Sequence, residues 1–104
     1  MLTLHDALRH LGYDEVDEAI SQTVTEELEE AEAYLKGAVG DDIFDLMPDD
    51  RRINILLKAY LDDRHDERGT RSAKAGNAKR EQVHSTELQL RLALAKKREE
   101  EVLA

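Results

Sequence analysis

Between Val16 and Ala38 an apolar residue returns every third or fourth position, as Val16, Ile20, Val24, Leu28, Ala31, Leu35 and Ala38, and acids crowd the positions between. A recurrence near 3.6 residues is what the buried stripe of a helix needs, and a strand's period of two does not produce it. A helix of about 24 residues at 1.5 Å each would be about 36 Å long. Asp14 and Asp17 offer side-chain acceptors to start it, and Gly37 and Gly40 offer a stop. The polar face carries Glu26, Glu27, Glu29, Glu30 and Glu32, with Lys36 as its base. A rod with one long apolar stripe has to be covered by other elements.

The remaining sequence supplies more helices. Thr3 and Asp6 have the spacing of a capping pair ahead of Leu4, Ala7, Leu8 and Leu11, with Gly12 as terminator. Residues 41–48 form an apolar connector with Ile43, Phe44, Leu46 and Met47. Pro48-Asp49-Asp50 suits a helix start, since proline loses nothing in the first turn and acids suit the positive end. Ile53, Leu56, Leu57, Tyr60 and Leu61 give that helix its stripe, which fades near Gly69. Ser85 or Thr86 is expected to cap a last helix through Leu88, Leu92 and Ala95, with Leu90 and Leu94 on an adjoining strip. Residues 69–84 read as a mobile loop, and 96–104 as a charged helical tail. The expected fold is therefore all-α, one domain over 1–104, with about four helices, two of them long.

Several classes of function are excluded early. The chain has no cysteine, which removes disulfides, thiolate metal sites and cysteine nucleophiles. Apolar runs such as Ile55-Leu56-Leu57 are far too short to span a membrane. The N-terminus lacks the basic start and apolar stretch of a signal peptide. No glycine-rich phosphate motif or cofactor motif is present.

Charge divides the chain. The net charge of −9 resolves into nineteen acids and seven bases over 1–68, a net of −12, and five acids and eight bases over 69–104, a net of +3. Residues 69–80 hold Arg71, Lys74, Lys79 and Arg80 and no acid. These bases could meet phosphates, but the acidic body repels DNA and no aromatic residue in the segment could stack on bases. Pairing with the acidic face of a neighbouring copy accounts for them equally well, and such head-to-tail contacts close into rings when the rotation permits.

Two chemical readings compete with inert surface. Glu26-Glu27-Leu28-Glu29-Glu30 matches an EExxE pattern, and with Asp63-xx-Asp66 resembles the acidic motifs of all-α nucleotide pyrophosphohydrolases, which hold Mg²⁺. The second half departs from that family's ExxD at one ligand, and a solvated acidic face explains the run without chemistry. His65, with Asp62 three residues before it, could bind a transition metal, or could simply sit at a helix end whose dipole suits a cation. Neither pattern identifies a catalytic, cofactor or metal site.

The order of elements nevertheless resembles a known family. The short first helix, the acidic helix ending in Ala33-Tyr34-Leu35-Lys36-Gly37, and the proline-initiated helix closing as Leu57-Lys58-Ala59-Tyr60-Leu61-Asp62-Asp63-Arg64 are similar to the head–tail connectors of tailed phages. Leu90-Arg91 in a last helix fits the same pattern, and the likeness covers most of residues 3–92. The chain departs from it in lacking a proline before the last helix and in its longer charged tail. The resemblance implies a non-enzymatic subunit of a ring of about a dozen copies, built without cofactor or membrane, between the portal protein and a tail-side completion protein. It implies a virion protein assembled in the host cytoplasm, with DNA passing through the ring unbound. On that reading Glu26, Glu27, Glu29 and Glu30 are candidates for the acidic channel face. Arg64, Arg71, Lys74, Lys79, Arg80 and Arg91 are candidates for contacts between subunits. A generic acidic protein-interaction adaptor is the remaining alternative.

Overall fold

The structure, a computed structural model, describes residues 2–14, 17–68 and 77–103, the side chains of 66–68 and 77–79 apart. It is all-α. Helices α1 (Leu4–His10), α2 (Glu18–Val39), α3 (Ile43–Leu46), α4 (Arg51–Arg68) and α5 (Asn77–Leu103) follow one another, and no strand occurs among the described residues. No helix is long and apolar enough to cross a membrane among those residues.

Local chemistry sets most boundaries where the sequence places them. Thr3 Oγ1 accepts from the Asp6 amide and the Asp6 carboxylate accepts from the Thr3 amide, a complete capping box. These bonds hold the Asp6 carboxyl below its ordinary range. At the other end of α1, Gly12 takes φ +88° while its amide donates to the Arg9 carbonyl and the Tyr13 amide to that of Leu8. That pair of bonds is a Schellman motif, and it throws Tyr13 back across the helix end. Asp17 caps α2 through the Ile20 amide, 2.8 Å away. Helix α2 runs straight through Gly37 and stops at Gly40.

Pro48 lies in a turn closed by the Asp50 amide on the Met47 carbonyl, so α4 starts at Arg51, later than the proline-led start expected. Asp50 caps it, accepting from the Arg52 amide and from Nε and Nη2 of the Arg52 guanidinium, which lowers its carboxyl pKa. The connector expected over 41–48 contains the single turn α3, and its Ile43 is fully buried.

The core lies between α2, α4 and α5, with α1 and α3 closing its ends. Val24, Leu28, Ala31, Leu35 and Val39 of α2 meet Ile53, Leu56, Leu57, Tyr60 and Leu61 of α4. Leu90 and Leu94 of α5 complete it. Two expectations for α5 are corrected. Residues 77–84, expected in a loop, form its first two turns, because Ala78 to Gln82 are good helix formers and Val83 packs against the core. The rest of that expected loop, 69–76, lies outside the described residues. Ser85 and Thr86 are consequently interior positions, and the Thr86 hydroxyl bonds back to the Gln82 carbonyl. Of the helix's two apolar strips the core takes one: Leu90 and Leu94 are buried, while Leu88 and Leu92 are 51% and 63% exposed.

The 27 residues of α5 span about 40 Å and outrun the body. The radius of gyration is accordingly 15.0 Å, against about 13 Å for a compact chain of this length.

Candidate functional site

Two buried glutamates organise the polar chemistry: Glu27 is met by a histidine that a tyrosine meets in turn, and Glu87 by a tyrosine and a histidine together. Glu27 of α2 is fully buried. His65 Nδ1 lies 3.2 Å from its Oε2, and the Tyr13 hydroxyl lies 3.1 Å from His65 Nε2. Against an ionised carboxylate, which only accepts, Nδ1 would carry the proton and Nε2 would be left to accept from the tyrosine when the ring is neutral. The Tyr13 and His65 rings also meet edge to face at 5.8 Å. One connected group thus joins the α1 terminus, α2 and α4. A hydroxyl, an imidazole and a carboxylate in sequence is the order that activates a nucleophile. Here its clearest effect is mechanical, since each member stands on a different element.

Glu87 of α5 is the second. The Tyr60 hydroxyl donates to its Oε2 over 2.5 Å, and His84 Nδ1 lies 3.2 Å from Oε1. Burial, then the bond to Glu87, pushes the Tyr60 pKa far up. Tyr60 stacks edge-on with Tyr34 of α2 at 4.7 Å. Arg64 lies over the other ring, 5.5 Å from the Tyr34 centroid, and bonds to Glu30 Oε2 at 3.3 Å. His10 Nε2 meets Asp62 Oδ1 at 2.9 Å. A polar belt therefore crosses all the long helices beside the apolar core.

The acids of the EExxE run are dispersed by this arrangement. Glu27 turns inward to His65, Glu30 pairs with Arg64, and Glu26 and Glu29 face out. Asp63 is exposed on α4, and the Asp66 side chain lies outside the described residues. Asp62 and His65, whose spacing alone would allow a shared metal, turn to different partners, His10 and Glu27. Among the described residues no three His, Asp or Glu side chains stand together as a ligand set.

The candidate surface residues separate in the same way. Glu26, Glu29 and Glu30 do lie on the outer side of α2, Glu30 held by Arg64. Glu27 does not belong to that face; a helix turn places it with Val24, Ala31 and the core, and His65 makes the burial tolerable. Of the candidate bases, Arg64 is engaged within the chain, and Arg91 Nε bonds to the Ala38 carbonyl at 3.2 Å. Arg80 is exposed on the first turns of α5. Arg71, Lys74 and the Lys79 side chain lie outside the described residues.

Sequence reasoning missed Glu87, Tyr60 as its donor, and the pair Arg98–Asp42, in which two guanidinium nitrogens meet one carboxylate and depress its pKa. Spacing could have found Glu87, which falls in step with Val83, Leu90 and Leu94. Arg98–Asp42 links α5 to the start of α3, and no local pattern announces it. Comparison of the chain with family models, with characterised proteins and with solved structures finds no match.

Proposed function

We propose that this chain is a structural subunit that assembles with copies of itself into a ring at the head–tail junction of a tailed-phage particle, joining portal to tail and extending the DNA channel. The observation that supports this most is the division of charge: a net of −12 over residues 1–68 against +3 over 69–104, with exposed Glu26 and Glu29 on α2 and exposed Arg80, Arg91 and Lys96 on α5. Opposite charges on separate helices of one chain favour contacts in which unlike faces meet, the kind that close into rings. An acidic channel wall would meet passing phosphates with like charge, so DNA would find no adhesive site. The resemblance of the element order to head–tail connectors points the same way.

A nucleotide-hydrolysing reading draws less support, because Glu27 and Glu30 of the EExxE run are engaged by His65 and Arg64. A general acidic adaptor would share the charge division but does not call for closure.

Mass photometry and negative-stain imaging over a series of concentrations and salt test the proposal. Closed rings of one stoichiometry, together with no retention of duplex DNA at physiological salt, are expected. A species that stays monomeric throughout, or one that binds duplex DNA tightly, overturns it.

A further inference from the structure

Helix α5 carries two apolar seams, and the bundle uses one. Val83, Glu87, Leu90 and Leu94 point inward. On the opposite side Leu88, Leu92, Ala95, Glu99 and Val102 follow one another at intervals of four, three, four and three residues, all exposed. That alternation is the spacing of a coiled-coil seam, interrupted at Glu99. Leu92 is 63% and Val102 84% exposed, so the seam is uncovered within one copy.

What borders the seam limits what can cover it. Arg91 lies along one edge and Lys96 along the other, while Arg98, beyond Arg91, is already paired with Asp42. Two such seams packed face to face would set these cations against one another in either orientation, so the charges oppose pairing of α5 with α5. The fitting partner is a helix face that is acidic and shallow.

The outer side of α2 has both properties. Glu26, Glu29 and the Arg64-paired Glu30 surround Ala33 and Gly37, all exposed, and nothing stands within 4 Å of the position a Cβ would take on Gly37. Small side chains there leave room for leucines, and Tyr34, 51% exposed, flanks the space.

We infer that the outer seam of α5, centred on Leu88 and Leu92, docks on the Ala33–Gly37 face of α2 in a second copy of this chain, with Arg91 and Lys96 directed to its acids. Such a contact is heterologous: every copy offers one seam and one acidic face, so association continues from copy to copy. It rests on the ring reading for its biological setting, and on the two faces for its geometry.

The absence of cysteine makes a direct test simple. Leu92→Cys and Ala33→Cys variants are prepared separately, mixed, and oxidised; disulfide-linked heterodimer is expected, well above the homodimer of either variant. Leu88→Asp with Leu92→Asp should weaken self-association at least about tenfold, since two leucines lose their burial. Helix content by circular dichroism should be unchanged, because both residues are already exposed. Predominant linkage of the Leu92→Cys variant to itself, no mixed linkage, or association undiminished in the double variant each overturn the inference. Rings that form without the mixed linkage leave the ring proposal standing and remove this contact. Mixed linkage in a closed dimer that never grows supports the contact and removes the ring.

Discussion

The Tyr60 hydroxyl donates to Glu87 Oε2 at 2.5 Å, and this bond ties α4 to α5 where both residues are buried. It holds a carboxylate inside the bundle on a helix whose other inward residues are apolar. Tyr60→Phe keeps the ring packed against Tyr34 and removes only the donor. Because the bond is to a charged group, the variant should lose about 2 kcal/mol, read from the midpoint of urea unfolding at unchanged slope. Glu87→Gln, which retains an acceptor oxygen, should lose less than Tyr60→Phe.

The same pair should shape the alkaline limb of stability. Burial and the neighbouring carboxylate raise the Tyr60 pKa well above its ordinary 10.0 in the native state. Above about pH 10 the unfolded chain then releases a proton that the folded chain keeps. The unfolded state holds fewer protons there, so stability falls as pH rises, by up to about 1.4 kcal/mol per pH unit for this one group. Urea midpoints of the wild type and of Tyr60→Phe across about pH 9 to 11.5 should converge, because the variant lacks that group.

At the other buried glutamate the two partners are unequal, and the asymmetry gives a sharper outcome. Glu27 is fully buried, whereas the His65 side chain is 30% exposed. His65→Ala takes one donor from a buried carboxylate and should cost about 2 kcal/mol. Glu27→Leu leaves an imidazole that water can reach, and leucine suits the neighbouring Val24 and Ala31; the loss should be about 1 kcal/mol. A double-mutant cycle should give a combined cost well below the sum of the two, and simple additivity would show that the residues do not interact.

The helices α1, α2 and α4 are legible in the sequence because their signals are local: a capping pair at Thr3 and Asp6, an acceptor at Asp17, and stripes at three- and four-residue spacing. Helix α5 misleads for a physical reason. Leucines at 88, 90, 92 and 94 give it two apolar sides, and periodicity cannot say which one meets the core. Tertiary contacts decide, through Tyr60 reaching Glu87 and Arg98 reaching Asp42. Glu27 is hidden for a related reason. In a run of glutamates all look alike, and it takes a distant partner such as His65, thirty-eight residues away, to show which one turns inward. The charge division is plain from the sequence, but the helix faces that carry it are not.

Two glycines near the end of α2 should respond oppositely to the same substitution. Gly37 lies inside the helix with open space where a Cβ would go. Gly37→Ala should therefore stabilise the isolated subunit by about 0.5–1 kcal/mol, through reduced freedom of the unfolded chain. Gly40 takes φ +154° at the C-terminal cap, a backbone conformation that side chains resist. A Cβ there would also come within 2.6 Å of Leu94 Cδ2, on a fully buried side chain of α5, and 2.5 Å of the Arg98 guanidinium. The guanidinium can swing aside, but then its pairing with Asp42 is lost, and Leu94 has no room to move. Gly40→Ala should cost on the order of 2 kcal/mol or more, from backbone strain and displaced packing together. Thermal unfolding of the two variants beside wild type checks both signs, and a melting temperature for Gly40→Ala at or above wild type would mean that α5 does not close on this corner of the bundle.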